Sequence, residues 1–383
     1  MSLALWAAGY CIVMTLIQLV SVAIAAVKCR RRSRHMRPPD NAPPVTVLRP
    51  VCGIDNCADE TLGSTFRLDY PAYEIIFCVA RADDPVVAIV ERLIDANPRV
   101  AARLLIGDDR ISSNPKLNNV VKGWAAARHD WIVTADSNVL MPSDYIQRLL
   151  ARWHSDTGLV CSTPIGARPG NFWAELECAF LNTLQARWQY VGASFGLGFA
   201  QGKTMLFRRE LIERGGGIGA LGADLAEDAA ATKLVRGQGL NVHLVDNPFE
   251  QPLGRRSAAE VWSRQLRWAR LRRVSFPRFF LAELISGSVL PIIAGTYAAA
   301  RLDVGAGMVL AILLVIWLGA EAALARAAGW HFSPRMPLTV LLRDLLLPVL
   351  WIEAWLSDDF IWRGNAMNLR ATSSEETSES AGP

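Results

Sequence analysis

Residues Leu3 to Val27 run without a single charged side chain, and six of the next ten residues, Lys28 to Arg37, are basic. About 25 helical residues at about 1.5 Å each reach roughly 37 Å, enough to cross a bilayer with some tilt. Basic residues directly after an apolar span hold that end on the cytosolic side. A cleaved signal peptide would carry its charges before the apolar run. The expectation is a transmembrane signal anchor over 1–27 with its N-terminus outside, and a basic juxtamembrane linker over 28–44.

A second apolar zone lies at 281–356 and divides at Arg301-Leu302-Asp303 and again between Arg326 and Arg335. It predicts three segments, Leu281–Ala300, Val304–Leu324 and Met336–Leu356. The third carries Arg343, Asp344, Pro348 and Glu353, and charge at that depth must pair or face a cavity. Its spanning or re-entrant course stays open. The expected protein is therefore multi-pass, with the region between the two apolar zones facing the cytosol. The polar residues after Arg370 are expected to be disordered, within a tail over 357–383. Hydrophobic residues make up 51% of the chain and charged residues 20%, which fits a soluble domain joined to membrane segments. The formal charge of +4 gives no ground for a nucleic-acid partner. The seven cysteines form no CxxC pair and suit a reducing compartment.

Between the membrane zones, residues 45–260 read as alternating apolar strands and helices. Val45–Leu48, Tyr73–Val79, Arg103–Ile106, Trp131–Asp136 and Leu159–Thr163 are the strands, and Val86 to Asn97 has helical spacing. That pattern predicts a mostly parallel, Rossmann-like α/β sheet with ligands at its carboxyl edge. Asp84 and Asp136 both fall at strand ends. Asp84, in Asp83-Asp84-Pro85, also suits a plain turn and helix cap.

Later motifs narrow the reading. They are Asn114-Pro115-Lys116-Leu117-Asn118-Asn119, Asp136-Ser137-Asn138, Glu227-Asp228 and Arg264-Gln265-Leu266-Arg267-Trp268. Their order, with Cys78-Val79 and Asp83-Asp84-Pro85 before them, resembles the ceramide glucosyltransferase family (glycosyltransferase family 21, GT-A fold, family 2-like). The likeness covers about 45–275, and the flanking membrane segments fit it. Arg81 and Ala82 depart from the family pattern, and Gln185 stands at the position of a family histidine. The resemblance implies an inverting glycosyltransferase that moves glucose from UDP-glucose to the hydroxyl of a membrane lipid, most simply ceramide. Diacylglycerol glycosyltransferases and hopanoid N-acetylglucosaminyltransferases are the alternatives. A processive polysaccharide synthase shares the same acids but needs more membrane helices for a pore.

Such chemistry needs a stabilised pyrophosphate, a base for the lipid hydroxyl and access from the bilayer. Asp136 suits Mg²⁺ or Mn²⁺, with Asn138 supplying a neutral oxygen where a second Asp would add charge. Asp84 is implied on the uridine side. Asp228 is the candidate base; the helix after it lowers a carboxylate pKa while Glu227 raises it, and the sequence leaves the balance open. Arg264 and Arg267, three apart, could grip pyrophosphate beside Trp268. Lys116 could offset phosphate charge or simply belong to its loop. Residues 261–280 also form a basic amphipathic stretch, with Arg270, Arg272 and Arg273 expected toward anionic lipid headgroups. Gly202-Lys203-Thr204 lacks the spacing of a phosphate-binding Walker loop. Gly215-Gly216-Gly217 reads as a mobile loop near the active site. The oligomeric state is not legible.

Overall fold

The computed structural model describes residues 2–30, 35–362 and 365–369. Part of the basic run, at 31–34, and the tail expected to be disordered lie outside the described residues. The chain divides into two compact units that do not follow its linear order. One holds residues 33–164, 195–253 and 358–383; the other holds 1–32, 165–194 and 254–357.

The first unit is built on a seven-stranded sheet. Its strands are β1 (Val45–Val51), β2 (Tyr73–Val79), β3 (Ala101–Ile106), β4 (Trp131–Ala135), β5 (Thr157–Cys161), β7 (Thr204–Arg208) and β8 (Asn241–Leu244), in the spatial order β3-β2-β1-β4-β7-β5-β8. β6 (Ile165–Pro169) belongs to the other unit. β3, β2, β1 and β4 pair in parallel, β7 runs antiparallel to both β4 and β5, and β5 pairs with β8 in parallel. Each strand expected from the sequence is present.

From Ile75 to Val79, β2 is an unbroken apolar run because both its faces are covered. Ile75, Phe77 and Val79 pack with Phe66, Val86 and Val90, the last two from α3 (Val86–Asp95). On the other face α4 (Pro115–Ala126) lies close, and a Cβ on its Gly123 would sit 2.5 Å from the Cys78 Sγ. The helices α2 (Ala58–Ser64), α5 (Tyr145–Leu150), α8 (Arg209–Arg214) and α9 (Glu227–Gly237) complete this unit. Gly215 and Gly216, after α8, are tied back by backbone bonds to Ile212 and Glu213.

The second unit is helical. It comprises α1 (Leu3–Cys29), α6 (Phe172–Cys178), a π-helical stretch at Ala179–Ala186, α7 (Arg187–Ser194), α10 (Ala258–Ser275), α11 (Pro277–Glu283), α12 (Val289–Arg301), α13 (Ala306–Ala328) and α14 (Met336–Leu356). α1 and α13 are each long and apolar enough to cross a membrane. The continuous segment expected over Leu281–Ala300 is instead two helices. The break falls at Ser286-Gly287-Ser288, where the Ser288 N–H and hydroxyl donate to Asp344 Oδ2 at 2.9 and 2.6 Å.

The charges in α14 are paired inward. Arg343 donates to both carboxylate oxygens of Glu321 on α13, at 2.9 and 2.8 Å, and to Asp344 Oδ1 at 2.8 Å. Thr183 donates to the same glutamate at 2.6 Å, and Arg187 donates to Gln18 of α1. Removing one member of such a buried set leaves an uncompensated charge, whereas the intact set is nearly neutral.

Candidate active site

The site is assembled at the carboxyl ends of β1, β2 and β4. Arg49, buried within β1, shapes the loop after β4. One nitrogen of its guanidinium donates to the carbonyls of Asp136, Ser137 and Val139 at 3.0, 2.9 and 3.3 Å, and the other donates to the Thr65 hydroxyl at 2.7 Å. Burial pulls the Arg49 pKa down to about 10, with nearby Tyr145 and Asp136 opposing. Ser137 donates to Asp55 Oδ2 at 2.7 Å. The loop that presents Asp136 is thus held by a side chain that sequence reading passed over, since an arginine inside an apolar strand carries no motif.

Lys116 lies at the start of α4. Asn114 caps that helix, accepting from the Lys116 and Leu117 N–H groups, and donates to Glu227 Oε2 at 2.8 Å. The Asn-Pro-Lys stretch is therefore a helix start and not a loop. Lys116 Nζ reaches three oxygens: Asp136 Oδ1 at 2.7 Å, Glu227 Oε1 at 2.6 Å and the Gly202 carbonyl at 2.6 Å. The other motif asparagines fix the surroundings. Asn118 accepts from the Ile111 and Ser112 N–H groups, and Asn119 donates to the Cys78 carbonyl at 2.6 Å.

Lys203 closes the array from the opposite side. Its ammonium lies 2.8 Å from Asp136 Oδ2 and 3.1 Å from Asn138 Oδ1. β7 delivers it by running antiparallel beside β4, with the Asp136 N–H donating to the Lys203 carbonyl at 3.1 Å. Thr204 begins a strand and not a helix, so no phosphate-binding Walker loop forms there. Burial alone would raise the Asp136 pKa, but Lys116 and Lys203 outweigh it and hold the carboxyl well below its usual range.

Asp228 stands in the first turn of α9. Its Oδ2 accepts from the Gly202 N–H at 2.9 Å and its Oδ1 from the Ala229 N–H at 2.8 Å. Burial, and then the neighbouring Glu227, push its pKa up to about 6, against the lowering pull of those N–H groups and Lys116. The opposing influences named from the sequence therefore resolve upward. A carboxylate with that affinity for protons is suited to accept one near neutral pH.

Gly202 lies against three members of this array, Glu227, Lys116 and Asp228. A Cβ there would lie 2.7 Å from Glu227 Oε1, 3.0 Å from Lys116 Nζ and 3.4 Å from Asp228 Oδ2. Gly202→Ala is expected to force the Glu227–Lys116 pair apart, destabilise the fold by about 1–3 kcal/mol and lower kcat/KM by about tenfold or more. Thermal denaturation and steady-state kinetics on the same preparation check both effects.

Asp84 lies at the end of β2, but its carboxylate accepts from the Gly53 N–H at 3.0 and 2.9 Å and from the Val86 N–H at 2.9 Å. It accepts from the first N–H of α3 and ties the loop just after β1. Arg81 pairs with Asp83 at 2.5 Å.

Arg264, Arg267 and Trp268 belong to the helical unit, on α10, which opens with a Ser257–Glu260 capping box. Arg264 donates to the fully buried Glu177 at 2.5 Å. Gln265 accepts from Gln185 of the π-helical stretch at 2.8 Å. Of Arg270, Arg272 and Arg273, expected toward headgroups, Arg270 departs from that expectation, and the other two are partly exposed. Arg270 is buried, Arg272 pairs with Glu283 at 2.5 and 2.8 Å, and Arg273 lies over the Trp355 ring at 5.2 Å. The partners of Arg272 and Arg273 come from helices later in the sequence.

A mostly parallel sheet of this order, with an acid after a central strand and a Glu-Asp pair at a helix start, is the architecture of a GT-A glycosyltransferase. Mannosyltransferase PcManGT from Pyrobaculum calidifontis, solved with GDP-Man and Mn2+, shares the fold with a TM-score of 0.52 at 18% identity, covering 91% of this chain and 98% of that one. The chain belongs to glycosyl transferase family 21, whose family model matches residues 13–374. Ceramide glucosyltransferase 3 of Caenorhabditis elegans is 27% identical over 371 residues, 94% of this chain and 80% of the relative. Ceramide glucosyltransferase of Komagataella phaffii is 44% identical over 108 residues, 27% of this chain and 21% of the relative. This protein is a glycosyltransferase.

A divalent cation is the group the fold implies beside a nucleotide sugar. Among the described residues no three His, Cys, Asp or Glu side chains converge on one point. Mg²⁺ and Mn²⁺ need fewer, since one or two carboxylates with substrate phosphates and water suffice. Asp136 Oδ2 and Asn138 Oδ1 already converge on one cation, the Lys203 ammonium. These hard oxygen donors fit the group in kind.

Proposed function

We propose that the protein transfers glucose from UDP-glucose to the hydroxyl of a membrane lipid, ceramide before diacylglycerol or a hopanoid, with inversion at the sugar. The observation that carries this reading is Asp228, a carboxylate raised to about 6 and held by the Gly202 N–H, one residue from a glutamate that shares Lys116 with Asp136. Asp228 takes the proton of the lipid hydroxyl as its oxygen attacks the sugar. Asp136, with Asn138, is the carboxylate for Mg²⁺ or Mn²⁺, which when bound would supply positive charge to the departing pyrophosphate. Lys116 bridges Asp136 and Glu227, screening their mutual repulsion, and adds a fixed positive charge. Asp84, through Gly53, shapes the neighbouring strand end where the uridine would lie. Arg264, Arg267 and Trp268 serve the pyrophosphate and acceptor.

The catalytic unit faces the cytosol on this reading, anchored by α1 and α13. The hairpin formed by Asp359–Trp362 and Asn365–Asn368 belongs to the same compact unit as the sheet. An even number of crossings between Leu253 and Asp358 is required to keep both on one side. With α13 as one crossing, α14 supplies the other if α12, 13 residues long and too short to span, stays within one leaflet.

The test is an assay of the purified protein in lipid. UDP-glucose, UDP-galactose and UDP-N-acetylglucosamine are each offered to ceramide, diacylglycerol and a hopanoid alcohol, with and without Mg²⁺ or Mn²⁺. Metal-dependent glucosylceramide of β configuration is the expected product. A product on another lipid alone moves the acceptor and keeps the chemistry. The absence of any glycolipid and of any donor hydrolysis overturns the reading.

A further inference from the structure

Asp136 has both carboxylate oxygens on lysine ammonium groups, Oδ1 on Lys116 and Oδ2 on Lys203, and the Asn138 amide oxygen is on Lys203 as well. The two lysines are not equivalent. Lys116 has two further oxygen partners, Glu227 Oε1 and the Gly202 carbonyl, and its side chain is 12% exposed. It stays compensated if Asp136 turns away. Lys203 sits on the two oxygens a metal would use, with a side chain 16% exposed. Each of those oxygens has a second lone pair, but an ammonium and a divalent cation held on the same oxygens repel each other and compete for one carboxylate charge, so the ammonium in place weakens metal binding there.

We propose that Lys203 is a positioning residue that holds the Asp136–Asn138 pair as a resident counter-ion and yields it to the metal when the nucleotide arrives. The inference rests on Asp136 being the metal-side carboxylate. The chemistry is an exchange of cations on two oxygens. Without nucleotide, the lysine satisfies Asp136 and the site has little affinity for free metal. The nucleotide's phosphates bring negative charge that receives the displaced ammonium and supplies the remaining metal ligands. Metal loading therefore depends on the nucleotide, and the enzyme avoids holding a bare divalent ion beside Asp228.

Mn²⁺ binding to the full-length protein in nanodiscs, followed by electron paramagnetic resonance of free Mn²⁺ with and without UDP, tests this apart from turnover. Lys203→Met is expected to lower the Mn²⁺ Kd without UDP by about tenfold or more, since affinity follows the net ligand charge. UDP should sharpen Mn²⁺ binding far more in the wild type than in the variant. Lys203→Arg, which keeps a cation there, should retain weak binding without UDP. Should the methionine variant fail to fold, Lys203→Gln gives the same reading. A Kd within twofold of wild type, or weaker, in a folded variant overturns the exchange. Asp136→Asn separates the two levels. If it abolishes Mn²⁺ binding while Lys203→Met leaves the Kd unchanged, only the role of Lys203 falls. If it leaves Mn²⁺ binding intact in both the wild type and the Lys203→Met background, the metal assignment and the exchange fall together.

Discussion

Asp228→Asn is expected to lower sugar transfer by about 10²- to 10⁴-fold, the usual span for losing a general base, while the protein becomes harder to unfold at pH 8. The stability half follows from linkage. The folded-state pKa of Asp228 is raised to about 6, so the fold binds that proton more tightly than the unfolded chain does. Its contribution is fully present below about pH 4, declines as pH rises to about 6 and stays lost above. Ionised Asp228 therefore opposes folding at neutral pH, by up to about 3 kcal/mol. Asparagine carries no charge and avoids most of this, although it can accept from only one of Gly202 and Ala229 through its single oxygen. The wild-type kcat/KM should climb through about pH 6 to a plateau, as the base loses its proton. Thermal melts at pH 5 and pH 8, with a pH–rate profile, check all three statements. A variant that keeps a tenth of wild-type transfer, or a wild-type profile flat from pH 5 to 7, would remove Asp228 as the base.

The fold was legible where burial on both faces makes a strand mostly apolar, as in β2 from Ile75 to Val79, in β4, and in β1 before Arg49. It was less legible at β7, where Thr204–Arg208 follows a Gly-Lys pair that draws attention to phosphate loops. The acids of the site could be named because each sits at a strand end or helix start. The cations that neutralise them could not be matched to them, because Lys116 and Lys203 come from distant parts of the chain and meet only through strand order. Asp84 shows the reverse case. Its position at a strand end invites a ligand, yet backbone N–H groups engage its carboxylate, an outcome that depends on where Gly53 falls after β1. In the helical unit, Arg343 and Asp344 look out of place in an apolar segment until Glu321, Ser288 and Thr183 are seen around them.

Lys116→Met should have the largest combined effect on stability and turnover. It removes the cation shared by Asp136 and Glu227, and leaves the Gly202 carbonyl without that donor. Breaking one partner out of a buried charged set costs about 3–5 kcal/mol, and the lower end is expected because Lys203 still compensates Asp136. Turnover should fall by about 100-fold or more, since both Asp228 and Asp136 depend on contacts with the Gly202–Lys203 backbone that this lysine braces. The pH dependence has a definite sign. In the wild type, Asp136 is held below its ordinary range, so its contribution is present above about pH 4 and lost as the medium becomes more acid. Without Lys116 that depression shrinks, so the gap in stability between variant and wild type stays constant from pH 8 to about pH 4 and narrows only below about pH 4, where the wild type loses more of the Asp136 contribution. Lys116→Arg distinguishes charge from shape. One nitrogen now meets three oxygens at 2.6–2.7 Å, whereas a guanidinium spreads its donors over a planar fork. Arginine is therefore expected to recover part of the stability and little of the turnover. Full recovery of both would mean that the site needs only a positive charge there, and that the three-oxygen geometry around Lys116 has no part in catalysis.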